Sequence, residues 1–112
     1  MKNFFISSFL TLSLGVFGQV NSSCPVIKIS TGRVIHRFFD TSPISPSGKY
    51  IALFRFPSEV NSPKPGEVGE VVLVDIKTGK ERIVAQSRGF EMQLAANVQW
   101  GKTDNELYFN DV

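Results

Sequence analysis

Metal and thiol chemistry have little to work with in this chain, which contains a single cysteine, Cys24, and a single histidine, His36. A lone cysteine closes no disulfide within the chain, so a partner for Cys24 lies outside this sequence. His36 and Asp40 suggest an acid/base pair or a metal site, but a metal needs more ligands and no cysteine or histidine cluster supplies them. His36 is therefore expected to be solvent-facing or strand-paired. No glycine-rich phosphate loop, zinc spacing or nucleophile elbow occurs, so no catalytic residue, metal site or cofactor is expected. Acidic residues are missing before Asp40, and Lys2 is the only charged side chain before Lys28.

That uncharged beginning has its own organisation. Lys2 precedes Phe4, Phe5, Ile6, Phe9, Leu10, Leu12, Leu14, Val16 and Phe17, a positive start followed by an apolar stretch. The stretch is shorter than the ~20 residues a membrane-crossing helix needs, and Gly15 and Gly18 stand where a signal peptidase reads small residues. Residues 1–18 are thus expected to be a signal peptide, with the protein exported to the periplasm or secreted and no integral span left after processing. Lipid attachment at Cys24 is the weaker reading, because Asn21 stands where a leucine is usual three positions before it.

Removal of the leader takes one lysine from twelve basic side chains and nothing from the ten acidic ones. The remaining bases are scattered among acids, so no nucleic-acid partner is expected.

The exported part is rich in β-branched and aromatic residues. Large apolar side chains occupy both parities of 49–56, which predicts a strand buried on both faces. The run 71–76 repeats the type, and 81–85 follows after Lys77-Thr78-Gly79-Lys80, whose glycine supplies the positive φ of a tight hairpin. Ser45-Pro46-Ser47-Gly48 has turn chemistry and joins a short strand at 42–44 to the strand from Lys49. The connection from Pro57 to Gly69 is rich in proline and glycine, which predicts a long, semi-rigid surface loop. The short-strand, turn, long-strand pattern then restarts over 97–109, as blades of a propeller repeat at about 40–50 residues.

Ser45-Pro46-Ser47-Gly48-Lys49-Tyr50-Ile51-Ala52-Leu53-Phe54 resembles the SPDGK-type core of the TolB-like, WD40-like β-propeller repeat. Leu73-Val74-Asp75-Ile76-Lys77-Thr78-Gly79-Lys80 resembles the hairpin that follows it. Ser47 replaces the usual aspartate, and Trp100-Gly101-Lys102-Thr103-Asp104 is a looser second copy. The resemblance covers about 41–110 and implies an all-β, incomplete β-propeller of about one and a half four-stranded blades. The first blade would take about 41–88 and the second would begin at about 94–112. Residues 19–40 would form an N-terminal segment in which 26–29 or 34–36 is a candidate ring-closing strand. A propeller needs several blades, so the sequence is expected to be the N-terminal part of a longer protein.

In such a blade, the loops entering first strands and those joining second to third strands share one face. Asp40, Glu91, Gln93, Asn97, Asn110 and Asp111 are accordingly the binding-face candidates, with strand capping and turn formation as the competing role for each. Trp100 is read as packing between blades rather than as a sugar platform. The resemblance implies a binding or scaffold module for a protein or a glycan. Its alternative is the N-terminal part of a polysaccharide-active propeller enzyme, since 37–43 faintly resembles the opening of oligogalacturonate lyases. An accessory propeller domain attached to a hydrolase is a third reading.

Overall fold

The computed structural model describes residues 24–37 and 40–112; the expected signal peptide lies outside the described residues. These form six strands: β1 (Val34–Ile35), β2 (Tyr50–Arg55), β3 (Gly69–Asp75), β4 (Glu81–Ser87), β5 (Gln99–Trp100) and β6 (Leu107–Tyr108). The first four make an antiparallel sheet in sequential order, and β5 and β6 make a second, two-stranded antiparallel sheet. The chain is all-β, with no helix among the described residues.

β2 and β3 form the middle of the first sheet because their apolar residues serve both faces. Tyr50 pairs with Asp75 and Arg55 with Glu70, without a slip between. Ala52, Phe54, Phe56, Val71 and Leu73 point to one face; Leu53, Val72 and Val74 point to the other. Burying each large apolar side chain contributes about 1.5–3 kcal/mol, so both faces must be covered. On β4 the register shifts where Val71 faces Ala85 and Val72 faces Ile83, leaving Val84 as an extra residue. A bulge on an outer strand breaks the ladder and twists the edge away from strangers.

Turn chemistry closes the hairpins as the residue types dictate. Asp75 Oδ1 accepts the main-chain N–H groups of Lys77 and Thr78, both at 2.9 Å, and Gly79 follows with φ of 70°. Ser45 O accepts from Gly48 N at 2.8 Å while Ser45 Oγ accepts from Tyr50 N at 3.1 Å. In the second sheet Gly101 N donates to Glu106 O at 2.7 Å, closing the β5–β6 turn. These three turns lie at one end of the sheets, called here the turn end, and the segment 57–68 lies at the other, the loop end.

The β1 edge of the first sheet departs from the expectation. The short strand expected at 42–44 is reduced to one bridge, Ile44 to Ile51, and the pairing farther along β2 is made by Val34–Ile35. Between Ile35, opposite Phe54, and Ile44, opposite Ile51, only Ala52 and Leu53 of β2 intervene, and Ala52 N donates to Pro43 O at 2.8 Å. Val34–Ile35, considered above for ring closure, is here the first strand of the sheet.

The first face packs against the second sheet and its approach. Ala95, Ala96 and Val98 complete its core, with Trp100, Leu107, Phe109 and Phe90 packed alongside. Trp100 Nε1 donates to Pro43 O at 2.8 Å, which ties the ring to the first sheet where it packs against the shared core. Across the turn end, Asp104 accepts from Ser47 N at 3.0 Å and from Ser47 Oγ.

The second face is held by a polar clamp. Arg55 shares the parity of Leu53 and forms ion pairs with Glu70, at 3.0 Å, and Glu81. Its Nε donates to Thr31 O at 2.9 Å, and Ser30 Oγ donates to Glu81 at 2.5 Å. Residues 30–32 are thereby strapped across this face. Burial disfavours the Arg55 charge, but hydrogen bonds and attraction from Glu81 and Glu70 outweigh it and raise its pKa. Glu81 is likewise pushed up by burial and pulled down further by Ser30 and Arg55, ending below the ordinary range.

Candidate functional site

The loop end is built by three segments that local chemistry shapes before they meet. Lys64-Pro65-Gly66-Glu67 is a tight turn: Glu67 N donates to Lys64 O at 3.1 Å, and Gly66 has φ of 86°. Proline followed by a positive-φ glycine is the type II signature. After β4, Ser87 is buried and its Oγ donates to Asn110 O at 2.7 Å while accepting from Gly89 N at 2.9 Å. Arg88 N donates to Asp111 Oδ1 at 3.0 Å. The third segment, 91–97, turns back on itself: Glu91 N donates to Ala95 O at 3.2 Å, and the Glu91 carboxylate accepts from Gln93 N at 3.0 Å and from Leu94 N.

Two residues in this turn adopt left-handed backbone without being glycine, Ala95 at φ 52° and Asn97 at φ 56°. Asparagine enters this region at little cost, whereas for a residue with a plain Cβ it costs about 1–2 kcal/mol. Burial of Ala95 and Ala96 in the core and the bond from Asn110 N to Ala96 O, at 2.7 Å, hold the turn in place.

Between the turn 64–67 and the stretch 88–92 lies an open cleft of about 270 Å³. Pro63, Pro65, Phe90 and Met92 supply its apolar surface, and Lys64, Glu67, Arg88 and Glu91 its charge. Phe90 is fixed from below: its ring centroid lies 4.9 Å from that of Phe54 and 5.9 Å from that of Phe56. Arg33 stands over the Phe56 ring with Cζ 5.0 Å from the centroid. The floor is thus part of the hydrophobic core, while the rim belongs to loops.

Family models, curated proteins and solved structures all give no match to this chain.

Of the six candidates expected from the sequence, five gather here. Glu91, Gln93 and Asn97 share the turn 91–97, and Asn110 and Asp111 are bonded to Ser87, Arg88 and Ala96. Their bonding is largely structural: the carboxylates of Glu91 and Asp111 accept main-chain N–H groups. The Arg88 and Val112 amides hold Asp111 below the usual carboxylate range. Asn97 Oδ1 is shielded from solvent and has no partner among the described residues.

Asp40 does not join the five. It lies in the chain between Ile35 and Ile44, which pair with the middle of β2, and forms an ion pair with Arg37 at 3.1 Å. Arg37 in turn donates to Gln99 Oε1 at 3.0 Å, linking the segment after β1 to β5. His36 is half-buried, and its Nδ1 has no partner among the described residues. Among the described residues no three His, Cys, Asp or Glu side chains gather as a metal cluster, and no helix is long and apolar enough to cross a membrane.

Sequence reasoning missed Lys64, Arg88, Phe90 and Met92. The signal available was positional, since Arg88 and Phe90 immediately follow β4 and Lys64 sits between two prolines. Nothing local says that these segments meet.

Proposed function

We propose that this chain is an exported binding module of the TolB-like propeller type, its two sheets standing as successive blades. It engages a protein or a glycan through the loop end. The observation that carries this reading is the convergence there of the cleft, five candidate polar residues and the left-handed Ala95. Backbone strain clusters at binding sites because a rigid surround must hold it, and loops on a stiff β scaffold are where recognition concentrates. The turn end consists of short hairpins in which the Asp75 and Asp104 carboxylates accept N–H groups of the turns, beside an open hollow of about 380 Å³.

The test is a binding screen of the full chain against a glycan array and a random peptide library. Any ligand found should lose affinity on Phe90→Ala and keep it when Thr78 or Lys80 at the turn end is changed to Ala. Ligands indifferent to Phe90, or the absence of any ligand, would overturn the reading. Export is checked by fusing residues 1–30 to an alkaline phosphatase that is active only outside the cytoplasm. Activity should appear, and Leu12→Arg should abolish it.

A further inference from the structure

Resting on that reading of the loop end, we infer that the cleft takes an acidic-apolar peptide segment of a partner protein, seating a carboxylate between Lys64 and Arg88 with an apolar side chain on Phe90 and Met92. Four charged residues line the cleft, but they are not equally free. Glu67 Oε2 accepts from Lys64 N at 2.9 Å. Both oxygens of Glu91 accept main-chain amides, those of Gln93 and Leu94. Each carboxylate is therefore engaged in fixing its own turn.

The two cations have no such employment. Lys64 and Arg88 form no ion pair among the described residues. Asp111 is close enough to Arg88 to feel its charge, yet it spends its hydrogen bond on the Arg88 main-chain N–H. Among the described residues neither cation is ion-paired with the two carboxylates that share the rim, and a charge-assisted hydrogen bond to a ligand carboxylate is about twice as strong as a neutral bond.

Size and surface choose between ligand classes. The volume, about 270 Å³, falls below the ~300–1,000 Å³ of pockets that enclose whole small ligands, and suits one or two side chains. A saccharide also needs acceptors for its hydroxyl groups, and both Glu91 oxygens and one of Glu67 already accept main-chain amides. The prolines, the Phe90 ring and the thioether of Met92, which is 41% exposed, instead suit an aliphatic or aromatic side chain. Methionine and a ring on one wall adapt to several such shapes.

The test displays random octapeptides to the full chain and measures selected peptides by fluorescence polarisation. Selected sequences should be enriched in Asp or Glu beside Leu, Phe or Met. Replacing the acid by its amide should weaken binding about tenfold, as for the loss of one charge-assisted bond. The variant Lys64→Gln/Arg88→Gln should show the same loss and no longer distinguish acid from amide. Lys77→Gln/Lys80→Gln, with the same charge change at the turn end, should bind normally. Selected peptides without an acid preference, or peptides retained by Lys64→Gln/Arg88→Gln, would overturn the inference. Glycans bound in a Phe90-dependent way with no peptide selected would overturn it while leaving the loop-end reading standing. Binding of neither class would sink both.

Discussion

Gly69→Ala tests whether the core really forms the floor of the cleft. Gly69 opens β3 without a left-handed φ, so what its lack of a side chain provides is space. A Cβ there would lie 2.1 Å from Phe54 Cζ, 2.6 Å from Cε1 and 2.9 Å from Arg55 O. Phe54 is 1% exposed and has a T-shaped contact with Phe56 at 5.6 Å, with Phe90 on another side at 4.9 Å. The ring cannot swing away without displacing those neighbours. Overpacking of this kind costs about 1–3 kcal/mol, offset by about 0.5–1 kcal/mol because alanine has less unfolded-state freedom to lose. The net expectation is a loss of about 1–2 kcal/mol, read as a fall of about 1 M in the urea midpoint for a small domain. Phe54→Leu removes the ring edge that would collide. On that background Gly69→Ala should cost less, with a coupling of about 0.5–2 kcal/mol in a double-mutant cycle. An unchanged midpoint, or strictly additive effects, would refute the packing argument and with it the claim that Phe90 is rigidly supported.

Arg55→Met keeps the alkyl stem but leaves Glu70 and Glu81 unpartnered. The Arg55 side chain is 16% exposed and its partners 28% and 24%. The cost should fall between that of surface and buried pairs, about 1–3 kcal/mol, and amide exchange should accelerate around Thr31; a loss under about 0.5 kcal/mol would contradict the clamp. Acid should destabilise the fold through Asp75, Glu81, Asp104 and Asp111, all held below their ordinary values. The main influence is the Thr78 amide on Asp75 and the Ser47 hydroxyl on Asp104. For Glu81, burial opposes the shift and Ser30 and Arg55 outweigh it; for Asp111 the Arg88 amide leads. Because the folded pKa values are the lower ones, this stability is complete above the carboxylate range near 4 and is lost as pH falls through the folded values. Thermal midpoints should be flat above about pH 5, fall below about pH 4, and fall less steeply in Asp104→Asn. Gly89→Ala places a Cβ 2.8 Å from the main chain of Asp111. It should displace 110–111 and impair ligand binding at the loop end while the far-UV spectrum of the first sheet persists; unaltered binding would separate this stretch from the site.

Much of the sheet was legible because its signals are local. The apolar runs at 49–56 and 71–76 emerge as β2 and β3, and the Lys77-Thr78-Gly79-Lys80 turn takes the positive-φ glycine expected of it. The second hairpin also appears where the repeat placed it, though reduced to two paired residues on each side. The β1 edge was misread because Val34 and Ile35 carry no turn signal of their own. Their partners, Arg55 and Phe54, are about twenty residues away, and only that pairing separates Asp40 from the loop end.

Side-chain alternation and turn-forming residues within a few positions of each other were enough to determine the all-β character, the order of β2 to β4 and the division into a turn end and a loop end. Tertiary structure alone decided which charges are spent and which are free. Glu91 is committed to its own turn, and Arg55 is neutralised across the face by Glu81. Lys64 and Arg88 line one cleft with Glu67 and Glu91, and neither cation is in an ion pair among the described residues. Apart from the Glu91 turn, which is local, those relations depend on the approach of segments more than twenty residues apart, which follows from how the two sheets bury their shared core.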